Sequence, residues 1–127
     1  AKMPYDRDIL VRLIVKKEKA AFDYQSVRNS QTDFPVLTCA AAKTEAGYRF
    51  SIGARPGKAV LFELADADIQ AADVENMAEN AAKCVKEQVE TGSNTRGSAE
   101  YRKHLAGVLV RRAVCKLAGR MPAGSIR

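Results

Sequence analysis

"TRGSAEYRKHLAGVLVRRAV", residues 95–114, decides how this chain has to fold. Gly97 and Ser98 form a break and a helix cap, and Glu100 places an acid in the first turn, where the helix dipole is positive. Leu105, Leu109 and Ala113 then share one face, with Ala106, Val110 and Leu117 beside them. That spacing is an amphipathic helix, and its apolar stripe needs another layer to cover it. Arg111, Arg112 and Lys116 stand in the later turns, where cations suit the negative end of the dipole. Gly119 can end the helix.

Working upstream, "TGSNTRG" (91–97) interrupts a second helical pattern. Val74, Met77, Ala78, Ala81, Ala82, Val85 and Val89 recur at the period of a buried stripe. Asp73 is its expected N-cap, and Glu79 to Lys83 is a favourable i,i+4 pair.

Before residue 65 the period changes. "DILVRLIV" (8–15) is β-branched and apolar and reads as a strand, and "AAFDYQSVR" (20–28) reads as a second extended piece. "NSQTD" (29–33) is turn-rich. "FPVLTCAAAK" (34–43) is apolar at nearly every position, the pattern of a strand buried on both faces, with Pro35 at its start. "TEAG" (44–47) reads as a hairpin loop, "YRFSIGA" (48–54) as a strand, "RPG" (55–57) as a turn and "KAVLFEL" (58–64) as a further strand. "MPAGSIR" (121–127) reads as a short tail. Strands first and helices second imply an α+β domain: an antiparallel sheet of three to four strands followed by helices packed on one face, with residues 1–127 as a single domain.

Bulk properties narrow the function. Hydrophobic residues make up 46% and charged residues 28%, which is ordinary globular composition. No apolar run is long enough to span a bilayer, and "AKMPYDRDIL" lacks the apolar core of a signal peptide, so no membrane partner and a cytoplasmic location are expected. Cys39, Cys84 and Cys115 form no CxxC pair and read as buried free thiols of a reducing compartment. His104 is the single histidine and has no companion ligands, so no metal site is expected. The net charge is +6, but it is unevenly placed. Residues 63–90 hold eight acids and two bases, whereas residues 96–127 hold eight bases and one acid, as if two elements complement each other. Bases split between Arg102–Lys103 and Arg111–Arg112, with aromatics at only 6%, do not resemble a nucleic-acid surface. "SIGARPG" has neither the spacing nor the setting of a dinucleotide fingerprint, and no catalytic triad is present. The residues by themselves argue against a self-contained enzyme.

Three blocks, in order, resemble a known family. "RGSAEYRKHLAGVLVRRAV" closely resembles the helix signature that ends the flavin subunit of molybdenum hydroxylases, the xanthine dehydrogenase and carbon monoxide dehydrogenase flavoproteins. "YQSVRNSQTDFPVLTCAAA" is similar to that family's basic–acid–small-residue segment, and "SIGARPGKAV" to its glycine turn. The resemblance runs from about Ile9 to Leu117. It departs at Arg28, which is followed by Asn29 rather than a second base, and at Gly53-Ala54, where the family often has Gly-Gly.

The resemblance implies the C-terminal domain of an FAD subunit, without the glycine-rich loops of the FAD-binding N-terminal region. Such a domain closes one side of the flavin pocket while electrons pass from iron–sulfur clusters through FAD to NAD or another acceptor. It implies FAD as a shared cofactor, and an FAD-binding N-terminal domain with molybdopterin and iron–sulfur subunits as partners. The family's acid maps to Asp33 and its next position to Phe34, with Arg28 upstream. The Phe34 N–H would reach a flavin carbonyl and its ring would shield one flavin face. A protein–protein interaction module of the same fold without a cofactor is the alternative reading.

Overall fold

The computed structural model describes residues 9–119. Its sheet has four strands, β1 (Ala21–Arg28), β2 (Pro35–Thr44), β3 (Gly47–Gly53) and β4 (Val60–Ala65), in the order β1-β2-β3-β4 with every neighbour antiparallel. A 3₁₀ turn (Asp66–Asp68) leads to α1 (Val74–Gln88), and α2 (Ala99–Leu117) closes the domain. The α+β expectation holds.

Alternation sorts the sheet into two faces. Inward rows join Gln25, Cys39, Ile52 and Val60, then Asp23, Ala41, Phe50 and Phe62, across the four strands. Leu37, Cys39, Phe50 and Ile52 are fully buried there. The opposite face carries Tyr24, Ala40, Ser51 and Leu61 in one row and Phe22, Ala42, Arg49 and Glu63 in the next. It is open, with Phe22 and Tyr24 each 62% exposed. The expected two-faced burial of residues 34–43 is therefore wrong. The outward positions of β2 are Thr38, Ala40 and Ala42, and two alanines in a row of three imitate a core.

α2 lies over β1 and β2, and α1 packs along α2. Both helices start where expected, Asp73 accepting from the Asn76 N–H and Ser98 from the Tyr101 N–H. Ala78, Ala81, Ala82 and Val85 of α1 are buried, and Met77 is packed at the edge of the same core. Val74 is not covered: in the first turn of α1 it lies 43% exposed. Glu79 pairs with Arg111 of α2 at 3.5 Å rather than with Lys83. Only Cys39 of the three free thiols is buried; Cys84 is half-buried and Cys115 exposed. Burial, with Asp23 nearby, pushes the Cys39 thiol up to about 12. No helix among the described residues is long and apolar enough to cross a membrane.

The expected strand at residues 8–15 does not form. Residues 9–20 have no ladder partner, and the apolar side chains from Ile9 to Val15 are 78–87% exposed. β-branched composition permits an extended chain, but only a partner edge makes it a strand. Asp8 and the "MPAGSIR" tail lie outside the described residues.

Two turns have opposite tolerances. In the β2–β3 hairpin Gly47 sits at φ +136°, and a Cβ there would meet the Leu64 carbonyl oxygen at 2.3 Å. After β3, Ala54 holds a left-handed φ of 57°. Gly47→Ala is expected to destabilise the fold by more than about 2 kcal/mol through strain and backbone clash. Ala54→Gly relieves a left-handed conformation and is expected to gain up to about 1 kcal/mol after the added unfolded-state entropy is deducted. Urea midpoints at constant slope would show both signs, and a destabilised Ala54→Gly would contradict the strain.

Candidate functional site

The structure brings Arg28, Asp33 and Phe34 together at the β1–β2 end of the sheet, and adds a residue that sequence reasoning missed. Arg28 ends β1, the turn at residues 29–33 reverses the chain, and Phe34 precedes β2. The Arg28 guanidinium donates to the Asp33 carbonyl oxygen. Arg96, from the loop between the helices, donates through Nη2 and Nε to Asp33 Oδ1 at 2.9 and 3.1 Å. Its guanidinium lies over the Phe34 ring, 5.2 Å from the centroid, within the range of a cation–π contact. Asn29 Nδ2 donates to the Arg96 carbonyl oxygen at 3.1 Å, tying the same two loops once more.

One expectation needs revision here. The Phe34 N–H donates to Asp33 Oδ1 at 2.7 Å, so it is already engaged within the chain. An aspartate beside a turn takes the following N–H readily, because its short side chain reaches its own backbone. What remains open is the Phe34 ring, with the residue 74% exposed. Asp33 itself is drawn below the usual carboxylate range, first by the Arg96 hydrogen bonds and then by the Phe34 N–H.

A second arginine holds Arg96 in place. Arg102, in the first turn of α2, is fully buried and has no carboxylate partner among the described residues. Its Nε donates to the Val36 carbonyl oxygen at 2.9 Å, and its Nη1 to those of Gly92 and Gly97 at 2.7 and 2.6 Å. Its Nη2 donates to Asn94 Oδ1, which also accepts the Arg96 N–H at 2.9 Å. One guanidinium thus fixes β2, the loop at 92–97 and the start of α2 together. Unlike the other bases of α2, Arg102 belongs to the buried stripe, one turn before Leu105 and Ala106. Burial pulls its pKa down, and Arg96 adds repulsion.

The fold agrees with a family assignment. Residues 22–117 match the model of the CO dehydrogenase flavoprotein C-terminal domain. The chain belongs to this family. Among solved structures it is similar to carbon monoxide dehydrogenase from Hydrogenophaga pseudoflava lacking the Mo-pyranopterin moiety of the molybdenum cofactor, with a TM-score of 0.68 and 22% identity. That likeness covers 81% of this chain and 38% of the other. Quinoline 2-oxidoreductase from Pseudomonas putida 86 is similar at a TM-score of 0.67 and 22% identity, over 78% of this chain and 37% of that one. The chain therefore spans well under half the length of these relatives, and at such identity the likeness is one of fold. No curated protein sequence matches it.

Two outcomes follow from the geometry. Arg102→Leu is expected to cost about 3 kcal/mol, because the buried Val36 carbonyl and the half-buried Gly92 and Gly97 carbonyls lose their donor. Arg102→Lys recovers only part of this, since an ammonium cannot match the planar fork. Amide exchange at residues 92–97 should accelerate in both variants; unchanged exchange and stability would remove Arg102 from this role. The Asp33 clamp also has a pH signature. A carboxyl whose folded pKa is depressed stabilises the fold fully above its unfolded value and loses that contribution as pH falls through the folded one. Relative to Asp33→Asn, the parent chain should be more stable at neutral pH, with the advantage shrinking below about pH 4. A constant difference down to the acid limit would exclude the ionised clamp.

Proposed function

We propose that this chain is the domain that closes one side of the flavin pocket in a molybdenum-hydroxylase-type oxidoreductase. The carrying observation is the Phe34 ring, exposed at the end of the sheet with a guanidinium on it. An isoalloxazine fits such a group: it stacks on an aromatic face, and a nearby cation favours its electron-rich reduced form. When bound, the flavin would supply the electron-carrying chemistry. The chain's own part is to position and shield. Phe34 would cover one side of the ring system, and Arg96 would hold Phe34 and place a positive charge beside it. Arg28 and Asp33 would keep the loop closed, Asp33 through its carboxylate and Arg28 through the Asp33 carbonyl oxygen. The engaged Phe34 N–H leaves the polar edges of the flavin to other donors. FAD would be shared with an FAD-binding domain on the N-terminal side, with molybdopterin and iron–sulfur components as further partners and NAD or another acceptor taking the electrons. The family match and the fold of the two solved relatives support this reading.

The test uses the assembled complex. Phe34→Ala removes the ring contact, worth about 1 kcal/mol beyond its area, or roughly a fivefold weaker hold on FAD. Flavin content, reduction rate and redox potential are the measurements. A well-folded Phe34→Ala complex identical to the parent in all three would take Phe34 out of the site. The 127-residue chain by itself, without pyrophosphate-binding loops, should bind FAD weakly, and sub-micromolar binding by flavin fluorescence would contradict the division of labour.

A further inference from the structure

On the side of α1 and α2 away from the sheet lies a groove of about 300 Å³. Its walls repeat at the helical turn: Glu79, Lys83 and Lys86 on α1, His104, Val108 and Arg111 on α2. Its floor is Ala82 and Gly107, and a Cβ at Gly107 would stand in ordinary van der Waals contact, 3.9 Å from the Ala82 carbonyl oxygen. The rim carries three permanent cations against one carboxylate, and that carboxylate is already paired with Arg111. Lys86 lays its stem toward Gly107, 3.6 Å from the same Cβ position, so its charged end stands at the mouth of the groove. Leu105, Leu109 and Ala113 of α2 face the core, while Val108 lies half-buried in the groove between His104 and Arg111.

We propose that this groove docks an acidic amphipathic helix of a partner polypeptide. Two walls with turn-spaced side chains and a small-residue floor accept a third helix, whose apolar residues would sit over Ala82, Gly107 and Val108. Lys83 and Lys86, beside the Arg111–Glu79 pair, select glutamate and aspartate on its flanks. A nucleic acid fits worse, because the lining offers no aromatic ring for base stacking and places Glu79 in the wall. The groove is separate from the Phe34 cluster, and the proposal stands independently of the flavin reading.

The experiment titrates the full chain with a synthetic amphipathic peptide of about four helical turns, leucines along one face and glutamates beside them. A control peptide carries lysines in place of the glutamates, and inorganic tripolyphosphate serves as a second control. Amide shifts should move at Lys83, Lys86, His104 and Val108 with the glutamate peptide, weaken with salt, and stay still with the lysine peptide. The double variant Lys83→Glu, Lys86→Glu, on exposed positions that the fold does not need, should bind the glutamate peptide at least about tenfold more weakly and gain binding of the lysine peptide. Shifts spread elsewhere, equal response to both peptides, or tripolyphosphate binding as tightly as the peptide would each overturn the proposal.

Discussion

Arg102 sits where three parts of the fold meet, and it does so as a buried cation without an anion. Burying a guanidinium away from carboxylates is costly unless its donors are matched. Here the match comes from the carbonyl oxygens of Val36, Gly92 and Gly97 and from the Asn94 side chain. These groups belong to β2, to the loop between the helices and to the approach of α2. The Val36 carbonyl is out of reach of water, and those of Gly92 and Gly97 are half-buried. The loop at 92–97 is thereby tied to Arg102 at Gly92, Asn94 and Gly97, on either side of Arg96. The arrangement around Phe34 follows from a residue that never touches it.

The charges at the Phe34 end divide into structural and available ones. Asp33 spends its carboxylate on Arg96 and on the Phe34 N–H, and the Arg28 guanidinium is bonded to a carbonyl. Two cations and one acid leave a net positive patch with an aromatic ring at its centre. Rings and cations at a sheet end attract flat, electron-rich groups, whereas an N–H already bonded to a carboxylate contributes little further recognition.

What the sequence disclosed was local. Asp73 and Ser98 cap their helices through hydrogen bonds to residues three positions away, so short patterns reveal them. The hairpin at Gly47 is equally local. The site was half legible: Arg28, Asp33 and Phe34 lie within one turn, but Arg96 joins them from 63 positions away, and no spacing announces it. Arg102 did leave a signal. It falls in register with Leu105, Ala106 and Leu109, and a base inside an apolar stripe is either an error of packing or a buried donor with several acceptors. Errors arose where residue type imitated burial. Two alanines made the outward side of β2 look like core, and the β-branched run before residue 16 looked like a strand although pairing was absent.

The open side of the sheet and the exposed run from Ile9 to Val15 share a colloidal consequence. Both display apolar surface that a lone molecule leaves in water, Phe22, Tyr24 and Leu61 on one and isoleucine, leucine and valine on the other. Copies of the chain are held apart by their net charge of +6, a repulsion that reaches only about 10 Å at 0.1 M salt and shortens as salt rises. Apolar attraction between molecules is not screened in that way. Raising the ionic strength therefore moves this chain from a clear solution toward a self-associating one.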